Sequence, residues 1–390
     1  MDRSVIIDEK DSRGAGLKFL IVSLRYIGDV LLSTPLALSI KARYPDAVVD
    51  YAVFRGTEGI LFKNPSVGRI ISMEPGKKNL STISRLFRQY DVAIGANPSD
   101  RTSIVTALAG RRSVGFSYRR ANEWWKELIF DQGLLYDDNL HIVPLTLQLL
   151  GPLGIPPRTD VIMGFDEEDE MLAGSTTGTA GYVVLHPFAR KHYKCWTATE
   201  WGRLAGIIRD RTGLRPIFTR SPSSGDDVIL RDILAHSPPD TVFLKEPLTL
   251  NQLAAVLSKA KGFVGVDTVV THMAAALDVP LVALYGPTMV RHWGPWPNGI
   301  CNQAPYRLAG SVQRMGRITV VQKEWDCVPC NRETCSQGDN VMRCLCEITA
   351  DEVFDELSIL LDPNGIRPST EFAEVNIVEC ANEDGELGSD

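Results

Sequence analysis

The chain has 390 residues, of which 44% are hydrophobic and 23% are charged, values typical of soluble globular proteins. This length suits two domains, and the composition excludes collagen-like, wholly disordered and disulfide-scaffold proteins. The formal net charge of −7 equals the contribution of the seven acidic residues after Arg367, whereas residues 55–126 hold 13 basic and 5 acidic side chains. We therefore expect a basic surface in the first half and an acidic, disordered tail over residues 363–390.

The sequence suggests neither a secretion signal nor a membrane span. Residues 1–16, which we expect to be flexible, are polar and charged and lack the apolar core of a signal peptide. The most apolar region, Phe263–Val290, is interrupted by Asp267, His272 and Asp278. Eight cysteines, most of them in one C-terminal segment, do not suggest a disulfide framework. We expect a cytosolic protein that contacts a membrane only with its surface.

In the first half, short β-branched runs alternate with helical patterns, which is typical of βαβ units on a parallel sheet. The predicted strands are Phe19–Ser23, Val48–Val53, Arg69–Met73, Val92–Ile94 and Arg112–Gly115, and the predicted helices include Val30–Arg43, Leu80–Arg88 and Leu140–Leu150. We therefore expect a first domain over residues 17–165. The acidic, then Ser/Thr/Gly-rich residues 166–180 are either a surface linker or an exposed helix with a flexible end.

The second half repeats the pattern and predicts a second domain over residues 181–348. Its predicted strands are Tyr182–His186, Pro216–Thr219, Thr241–Leu244, Gly262–Val266 and Leu281–Tyr285. Capping boxes mark helix starts at Thr197/Glu200, Thr249/Gln252 and Thr349/Glu352, the last of which opens a C-terminal helix over residues 349–362. Both halves are predicted to be Rossmann-like, doubly wound parallel-sheet domains that face each other across a ligand-binding cleft.

A carboxylate follows the first predicted strand. Asp29 lies after a glycine-containing turn and opens a helix, where it can cap the helix or interact with its positive end. The same position can also aim the side chain into the cleft, where an aspartate can accept the proton of an attacking sugar hydroxyl. The spacing leaves both interpretations open.

A cationic loop follows the first strand of the second domain. Arg190, Lys191, His192 and Lys194 lie between this strand and a capped helix, as expected where a pyrophosphate must be held. The alternative is a solvated basic loop. We expect His192 to be exposed and incidental.

The stretch Gly265–Leu277 places Asp-Thr between a strand and a small-residue helix. The N–H groups at the helix start, near Thr268 and Val269, suit phosphate oxygens. Asp267 would cap the helix or bind a sugar hydroxyl, and His272 would either contact phosphate or be a satisfied core histidine. Because neither a Walker A motif nor a GxGxxG motif occurs, kinases and nicotinamide dehydrogenases are disfavoured.

Four motifs together carry a resemblance to a known family. LRYIGDVLLSTP, the KCW of Lys194–Trp196, GVDTVVTHMAAAL and YGPT, in this order, resemble the lipopolysaccharide heptosyltransferases of glycosyltransferase family nine. The resemblance covers about Leu17 to Leu361, and the KCW loop and the DTVVTH variant are most similar to the heptosyltransferase III branch. It implies a GT-B fold with the acceptor on the first domain, the nucleotide sugar on the second, and a C-terminal helix packed back on the first.

The resemblance further implies inverting, metal-independent transfer of heptose from ADP-heptose to the inner core of lipopolysaccharide, without a required cofactor. The family's catalytic aspartate falls on Asp29, its donor-phosphate lysine on Lys194, and its Asp-Thr pair on Asp267 and Thr268, while its histidine falls on His272. Heptosyltransferase I has glycine where this chain has Val269, so close backbone approach to the pyrophosphate is harder here. Arg190 would assist Lys194 at the donor.

The basic stretch from Arg55 to Lys126 lies in the domain expected to bind the acceptor. We expect Arg25, Arg119 and Arg120 to contact it, and the stretch to face phosphorylated core sugars and anionic headgroups, with Trp124 and Trp125 at the interface. The alternative is ordinary surface cations and a buried tryptophan. No nucleic-acid-binding module accompanies the charge, so nucleic acid is not an expected partner.

Four cysteines are spaced closely enough to bind one metal ion together: Cys327, Cys330, Cys335 and Cys344. Thiols in this pattern can build a tetrahedral zinc or iron site of structural importance. Free reduced thiols are the alternative.

Two functional alternatives accompany the heptosyltransferase prediction. One is a family-nine transferase that uses another nucleotide sugar or acceptor, and the other is a non-catalytic nucleotide-sugar or lipopolysaccharide-binding module organised by the cysteines. For the enzyme we expect a cytoplasmic protein, peripheral at the cytosolic face of the inner membrane.

Overall fold

The computed structural model describes residues 16–76, 79–118, 120–221, 223, 226–300, 304–336 and 341–362. The predictions for Arg119, for residues 1–15 and for the acidic tail lie outside these residues.

A six-stranded sheet, parallel throughout, forms the first half. Its strands are β1 (Lys18–Ser23), β2 (Val48–Phe54), β3 (Ile70–Met73), β4 (Tyr90–Gly95), β5 (Gly110–Ser117) and β6 (Gln132–Leu135). The spatial order is β3-β2-β1-β4-β5-β6, with Phe19 aligned with Val49 on one side and with Val92 on the other. The strand order reverses between β1 and β4, which is where doubly wound sheets bind ligands.

Six α-helices are described in the first half: α1 (Ile27–Leu32), α2 (Thr34–Arg43), α3 (Leu80–Leu86), α4 (Asp100–Ala109), α5 (Trp124–Ile129) and α6 (Ile142–Leu147). The single helix predicted over Val30–Arg43 is in fact the pair α1 and α2. Ser33 separates them, and Pro35 lies in the first turn of α2. Proline has no N–H, but N–H groups in the first turn make no hydrogen bond within the helix, so none is lost.

A seven-stranded sheet forms the second half. Its strands are β7 (Tyr182–His186), β8 (Arg215–Phe218), β9 (Val242–Phe243), β10 (Gly262–Val266), β11 (Leu281–Leu284), β12 (Gln313–Met315) and β13 (Ile318–Val321). The order is β12-β13-β11-β10-β7-β8-β9, and only β12 pairs antiparallel among the described strands. The switch point lies between β7 and β10. Strands β6, β12 and β13 were not predicted. Neither β6 nor β12 contains a β-branched run, whereas β13 has the β-branched sequence ITVV and was missed all the same.

The second half adds eight described helices: α7 (Glu167–Thr177), α8 (Ala198–Thr212), α9 (Asp226–Ala235), α10 (Leu250–Ser258), α11 (Val269–Ala276), α12 (Val290–Trp293), α13 (Arg343–Cys346) and α14 (Ala350–Leu361). The capping boxes that open α10 and α14 are present. At α8 the hydroxyl of Thr197 accepts the N–H of Glu200, but the Glu200 carboxylate accepts from Ala350 N at 2.6 Å. Of the alternatives for residues 166–180, the exposed helix is observed as α7, capped by Asp166.

The C-terminal helix packs on the second sheet. Helix α14 contacts α8, β10, β11 and β13, and its buried residues Val353, Leu357 and Leu360 join the second apolar core. The expectation that this helix packs back on the first domain is therefore wrong. The helix takes this position because its apolar face is buried against the apolar strands β10, β11 and β13 of the second sheet.

The central strands position the loops that matter. Strands β7 and β10 are buried along their whole length, as in sheets covered by helices on both faces.

The halves are joined by hydrogen bonds: Asn298 donates to Val161 O at 3.0 Å and accepts from Val161 N at 2.9 Å, and Trp296 Nε1 donates to Thr159 O at 2.9 Å. Within the described ranges, no helix has the length and apolarity required to cross a bilayer.

Candidate active site

A cavity of about 440 Å³ lies between the two sheets, where the loops after β1, β7, β10 and β11 meet. The predicted base and every predicted donor-binding residue line it, together with Arg25: Arg25, Asp29, Arg190, Lys194, Asp267, Thr268, Val269 and His272. The structure thus brings together groups that are up to 247 positions apart in the chain, counting from Arg25 to His272.

Asp29 lies in the first turn of α1, and its side chain is 12% exposed. The N-cap is Tyr26, which makes no side-chain capping bond, and backbone groups at the helix start interact with the Asp29 carboxylate. Burial raises the pKa of Asp29, although the positive charge of Arg25, the backbone hydrogen bonds and the more distant charge of Lys194 oppose the shift. Arg25 Nε lies 3.5 Å from Asp29 Oδ1. The carboxylate therefore interacts with backbone groups at the helix start and faces the cavity, and its pKa is raised above that of an ordinary aspartate.

Lys194 and Asp267 form a close ion pair across two loops of the second half. Lys194 Nζ lies 2.6 Å from Asp267 Oδ2, with side-chain exposures of 23% and 9%. Thr268, not Asp267, is the N-cap residue of α11, and its hydroxyl makes no capping bond. The capping role considered for Asp267 is therefore wrong, and its carboxylate instead holds the lysine ammonium beside the helix start.

His272 lies where the two halves meet. It is buried on α11, which packs against α1, and a Cβ built on Gly28 would be 3.7 Å from His272 Cδ2. Burial lowers the pKa of His272 to about 4, so the ring is neutral at pH 7. Its Nδ1 has no hydrogen-bond partner among the described residues. A fully satisfied core histidine is therefore not observed, and the free nitrogen is compatible with a ligand contact.

Arg190 joins the two walls of the cavity. Its guanidinium lies 4.4 Å from the centre of the Tyr26 ring, at the start of α1. A cation over an aromatic face is favourable and leaves the N–H edges of the guanidinium available for oxygen ligands. The cationic loop after β7 is therefore part of the cavity and not merely a solvated surface loop.

Comparison with known proteins decides the family. The profile of glycosyltransferase family 9 (heptosyltransferase) matches residues 80–306, more than half of the chain. The chain belongs to glycosyltransferase family 9. Lipopolysaccharide heptosyltransferase 3 of Escherichia coli K12 is 29% identical over 311 residues, which cover 75% of this chain and 88% of that protein.

Solved structures of this family share the fold. The family 9 glycosyl transferase of Veillonella parvula aligns with a TM-score of 0.72 at 17% identity, covering 90% of this chain and 98% of that one. ADP-heptose lps heptosyltransferase II of Escherichia coli aligns with a TM-score of 0.67 at 21% identity, covering 88% and 98%. The two parallel sheets are thus the GT-B fold predicted from the sequence, and the protein is a glycosyltransferase.

Arg120 is not among the described residues that line the cavity; it belongs to an aromatic and basic cluster after strands β5 and β6. The Arg120 guanidinium lies 4.2 Å from the centre of the Tyr118 ring, and the rings of Tyr118 and Tyr136 are 5.1 Å apart. Tyr136 Oη lies 3.1 Å from His292 Nε2 in the second half. Burial raises the pKa of Tyr118, and the charges of Arg25 and Arg120 oppose this shift, which places two of the three predicted acceptor cations near one ring.

Much of the predicted basic surface is neutralised by ion pairs. The described pairs include Arg55–Glu74, Lys63–Asp166, Arg69–Asp50, Arg111–Asp91 and Lys126–Asp100. Trp124, in contrast, is 65% exposed. Many of these cations thus have local structural partners, as the alternative interpretation expected, whereas Trp124 faces solvent. The contact with phosphorylated sugars and anionic headgroups stays a prediction.

The cavity also contains residues that were not predicted for it. These are Tyr26, Ile27, Gly28, Leu32, Lys191, Tyr193, Pro287, Thr288, Trp293, Asn331 and Glu333. Tyr26 and Thr288 lie inside motifs quoted for the family resemblance, so the sequence carried a signal for them. Asn331 and Glu333 lie among the clustered cysteines, a stretch that the thiol spacing led us to interpret only as a possible metal site.

The four clustered cysteines line a second cavity, of about 400 Å³. They are free thiols, and no group of three or more potential ligands in the described part of the chain could hold a metal ion. Burial raises the pKa of Cys344 to about 12, with further contributions from Cys330, Cys327 and Cys335. The predicted zinc or iron site is therefore not observed among the described residues.

Proposed function

We propose that this glycosyltransferase transfers heptose from ADP-heptose to the inner core of lipopolysaccharide, with inversion, in the manner of heptosyltransferase III. The observation that carries the proposal is one cavity that joins a partly buried carboxylate with raised pKa, Asp29, to a cationic loop and a helix start. Support for the donor comes from a solved structure with the same fold, that of ADP-heptose lps heptosyltransferase II of Escherichia coli. Support for the branch comes from lipopolysaccharide heptosyltransferase 3 at 29% identity.

In this proposal Asp29 is the general base. As the acceptor hydroxyl attacks the anomeric carbon, its proton passes to the Asp29 carboxylate, the new C–O bond forms, and the bond from carbon to the diphosphate oxygen breaks. Attack from the face opposite ADP inverts the anomeric carbon. General-base catalysis of this kind contributes roughly 10²- to 10⁴-fold.

The second half would stabilise the leaving ADP. Lys194 and Arg190 supply positive charge, and the N–H groups at the start of α11, beside Thr268 and Val269, face the same cavity. Fixed donors of this type stabilise charge that develops in the transition state without costly reorganisation. The proposed division of labour is an acceptor domain over residues 17–165 and a donor domain over residues 181–348.

Product analysis tests the proposed function directly. The purified enzyme is incubated with ADP-heptose and a defined inner-core acceptor, and the product is examined by mass spectrometry and by NMR of the new anomeric centre. The proposal expects one added heptose, inverted configuration and stoichiometric ADP. Transfer from a UDP- or GDP-sugar instead would identify another donor, and binding without ADP release would identify a non-catalytic module.

We further propose that the enzyme works at an anionic membrane, such as the cytosolic face of the inner membrane, with helix α5 as the contact. Trp124 and Leu128, one helical turn apart, are 65% and 75% exposed, and Leu135 on the adjacent strand is 47% exposed. Arg120 precedes the first residue of α5 by four positions in the chain. Exposed Trp and Leu next to cations suit an interface of acyl chains and anionic headgroups.

Vesicle flotation tests the membrane contact. The enzyme is mixed with phosphatidylglycerol–phosphatidylcholine vesicles, and the variant Trp124→Ala/Leu128→Ala is expected to lose at least about tenfold in vesicle affinity because buried apolar area is removed. A matched control removes two exposed apolar side chains of the second half, Met171 and Val228, which are 70% and 60% exposed. Equal losses in both variants would contradict a contact specific to α5.

A further inference from the structure

A segment that carries three of the clustered cysteines also lines the active-site cavity. Residues 325–336, which we call the cysteine segment, follow β13. The thiols face a cavity of about 400 Å³, whereas Asn331 and Glu333 belong to the wall of the 440 Å³ cavity between the sheets. The segment therefore separates the two cavities.

Asn331 bonds twice to the loop after β11. Its backbone N–H donates to Pro287 O at 2.8 Å, and its Oδ1 accepts from Met289 N at 2.9 Å. The two bonds enclose Thr288, which lines the active-site cavity. Asn331 has a φ of 53°, a left-handed conformation that asparagine tolerates better than most residues. An asparagine is thus well suited to this two-point contact.

The same loop is held from the sheet side. Gln322 follows β13 and is buried, and its Nε2 donates to Gly286 O at 2.7 Å and to Thr288 O at 2.9 Å. A Cβ built on Gly286 would lie 3.3 Å from Leu345 Cβ and 3.6 Å from Cys344 Sγ, so the loop rests directly on the thiol cluster. The position of residues 286–289 is therefore set by contacts outside the loop itself.

The cysteine segment also reaches the cationic loop after β7. Glu333 Oε1 lies 2.9 Å from Lys191 Nζ, and both residues line the active-site cavity. Because the pair is exposed, its contribution to folding stability is small. Its importance is positional, since one segment touches two of the three loops that form the second-half wall of the site, those after β7 and β11.

We propose that the cysteine segment positions the donor pocket, with Asn331 as the positioning residue that holds the loop 286–289 against the nucleoside diphosphate sugar. The inference rests on the proposed function, because it names a further determinant of the donor site. Without the Asn331 side chain, Met289 N loses its acceptor and the loop gains freedom that donor binding must remove. The Michaelis constant for the donor should therefore rise while that for the acceptor stays constant.

Asn331→Gly tests this inference, because glycine keeps the left-handed backbone and the N–H but lacks the Oδ1 acceptor. One hydrogen bond of this kind corresponds to a change of about 3- to 10-fold. We expect that rise in the donor KM and in the dissociation constant of ADP measured by calorimetry, with acceptor KM and kcat within twofold of wild type. Asp278→Gly is the matched control, since Asp278 is also left-handed at φ 53° but does not line the cavity.

Unchanged donor KM and ADP affinity in Asn331→Gly would overturn the inference, as would equal effects in Asp278→Gly. A rise in both the donor KM and the acceptor KM, together with a lower melting temperature, would also overturn it, because the residue would then serve general stability. The ADP measurement keeps this test separate from the proposed function. A wild-type enzyme that binds ADP but transfers no heptose refutes the function and still reports whether Asn331 sets the pocket.

Discussion

Two aspartates at the cavity have opposite electrostatic surroundings. Asp29 follows a central strand of the first sheet, and Asp267 follows a central strand of the second, each near the start of a helix. The cation nearest Asp29 is Arg25, at 3.5 Å, whereas Asp267 is paired with Lys194 at 2.6 Å. Burial raises the pKa of Asp29. The comparison shows that position in the fold brings a carboxylate to the cleft, and the distance to a cation decides what it can do there.

The difference assigns distinct tasks to the two helix starts. A carboxylate that burial makes more basic can take a proton, whereas one held by a lysine ammonium orients that ammonium. In the proposed mechanism, helix α1 therefore carries the base, and an ordered positive charge lies beside the start of α11.

Asp29→Asn should have the largest effect. Asparagine keeps the shape but cannot accept the proton, so kcat should fall roughly 10²- to 10⁴-fold while ADP affinity stays near wild type. The melting temperature at pH 8 should not fall, because a carboxylate whose folded pKa is raised destabilises the folded state once it is ionised. Steady-state kinetics, calorimetry with ADP and thermal unfolding measure the three quantities. Near-normal transfer would refute the base assignment.

Lys194→Gln should weaken ADP binding by about 10- to 100-fold, the size of a charge-assisted hydrogen bond. It also leaves the Asp267 carboxylate, 9% exposed, without its cation. The double variant Lys194→Gln/Asp267→Asn removes that unpaired charge and serves as the control. Recovery of the melting temperature without recovery of ADP affinity would show that Lys194 binds the donor. Recovery of both would show that the lysine only compensates Asp267.

The pH profile of kcat/KM measures the electrostatics of Asp29. The base must be ionised, so activity should fall as pH decreases through its raised pKa, at a higher pH than for an ordinary aspartate. The charge of Arg25 lowers this pKa against the effect of burial. Arg25→Met should therefore move the acidic limb to higher pH, whereas Arg85→Met, away from the cavity lining, should leave it in place. A limb that does not move would exclude Arg25 as the modulating charge.

The sequence predicted those site residues that lie close to a strand end. Asp29, Lys194 and Asp267 follow β1, β7 and β10 by a few residues, and a parallel sheet brings such positions to one edge. These three strands were recognisable from their apolar, β-branched runs. The architecture and the core of the site were therefore encoded locally.

Long-range packing placed the residues that sequence reasoning missed. Asn331 and Glu333 reach the cavity only because the cysteine segment folds over the loop after β11, and Tyr136 meets His292 from the other half of the chain. The docking of α14 on the second sheet has the same origin. No periodicity or spacing specifies which of two available apolar surfaces an amphipathic helix will cover.

Gly28→Ala should have the smallest effect, and it measures how closely the two helix starts approach. The added Cβ would lie 3.7 Å from His272 Cδ2, an ordinary van der Waals distance, so transfer and stability should stay within about twofold and about 0.5 kcal/mol of wild type. Gly28→Val adds two methyl groups at the same place and should push α1 from α11, which would separate Asp29 from the donor side. Thermal unfolding and kcat/KM compare the two variants. If alanine already abolished transfer, the two halves would have to approach more closely during the reaction than they do in this structure.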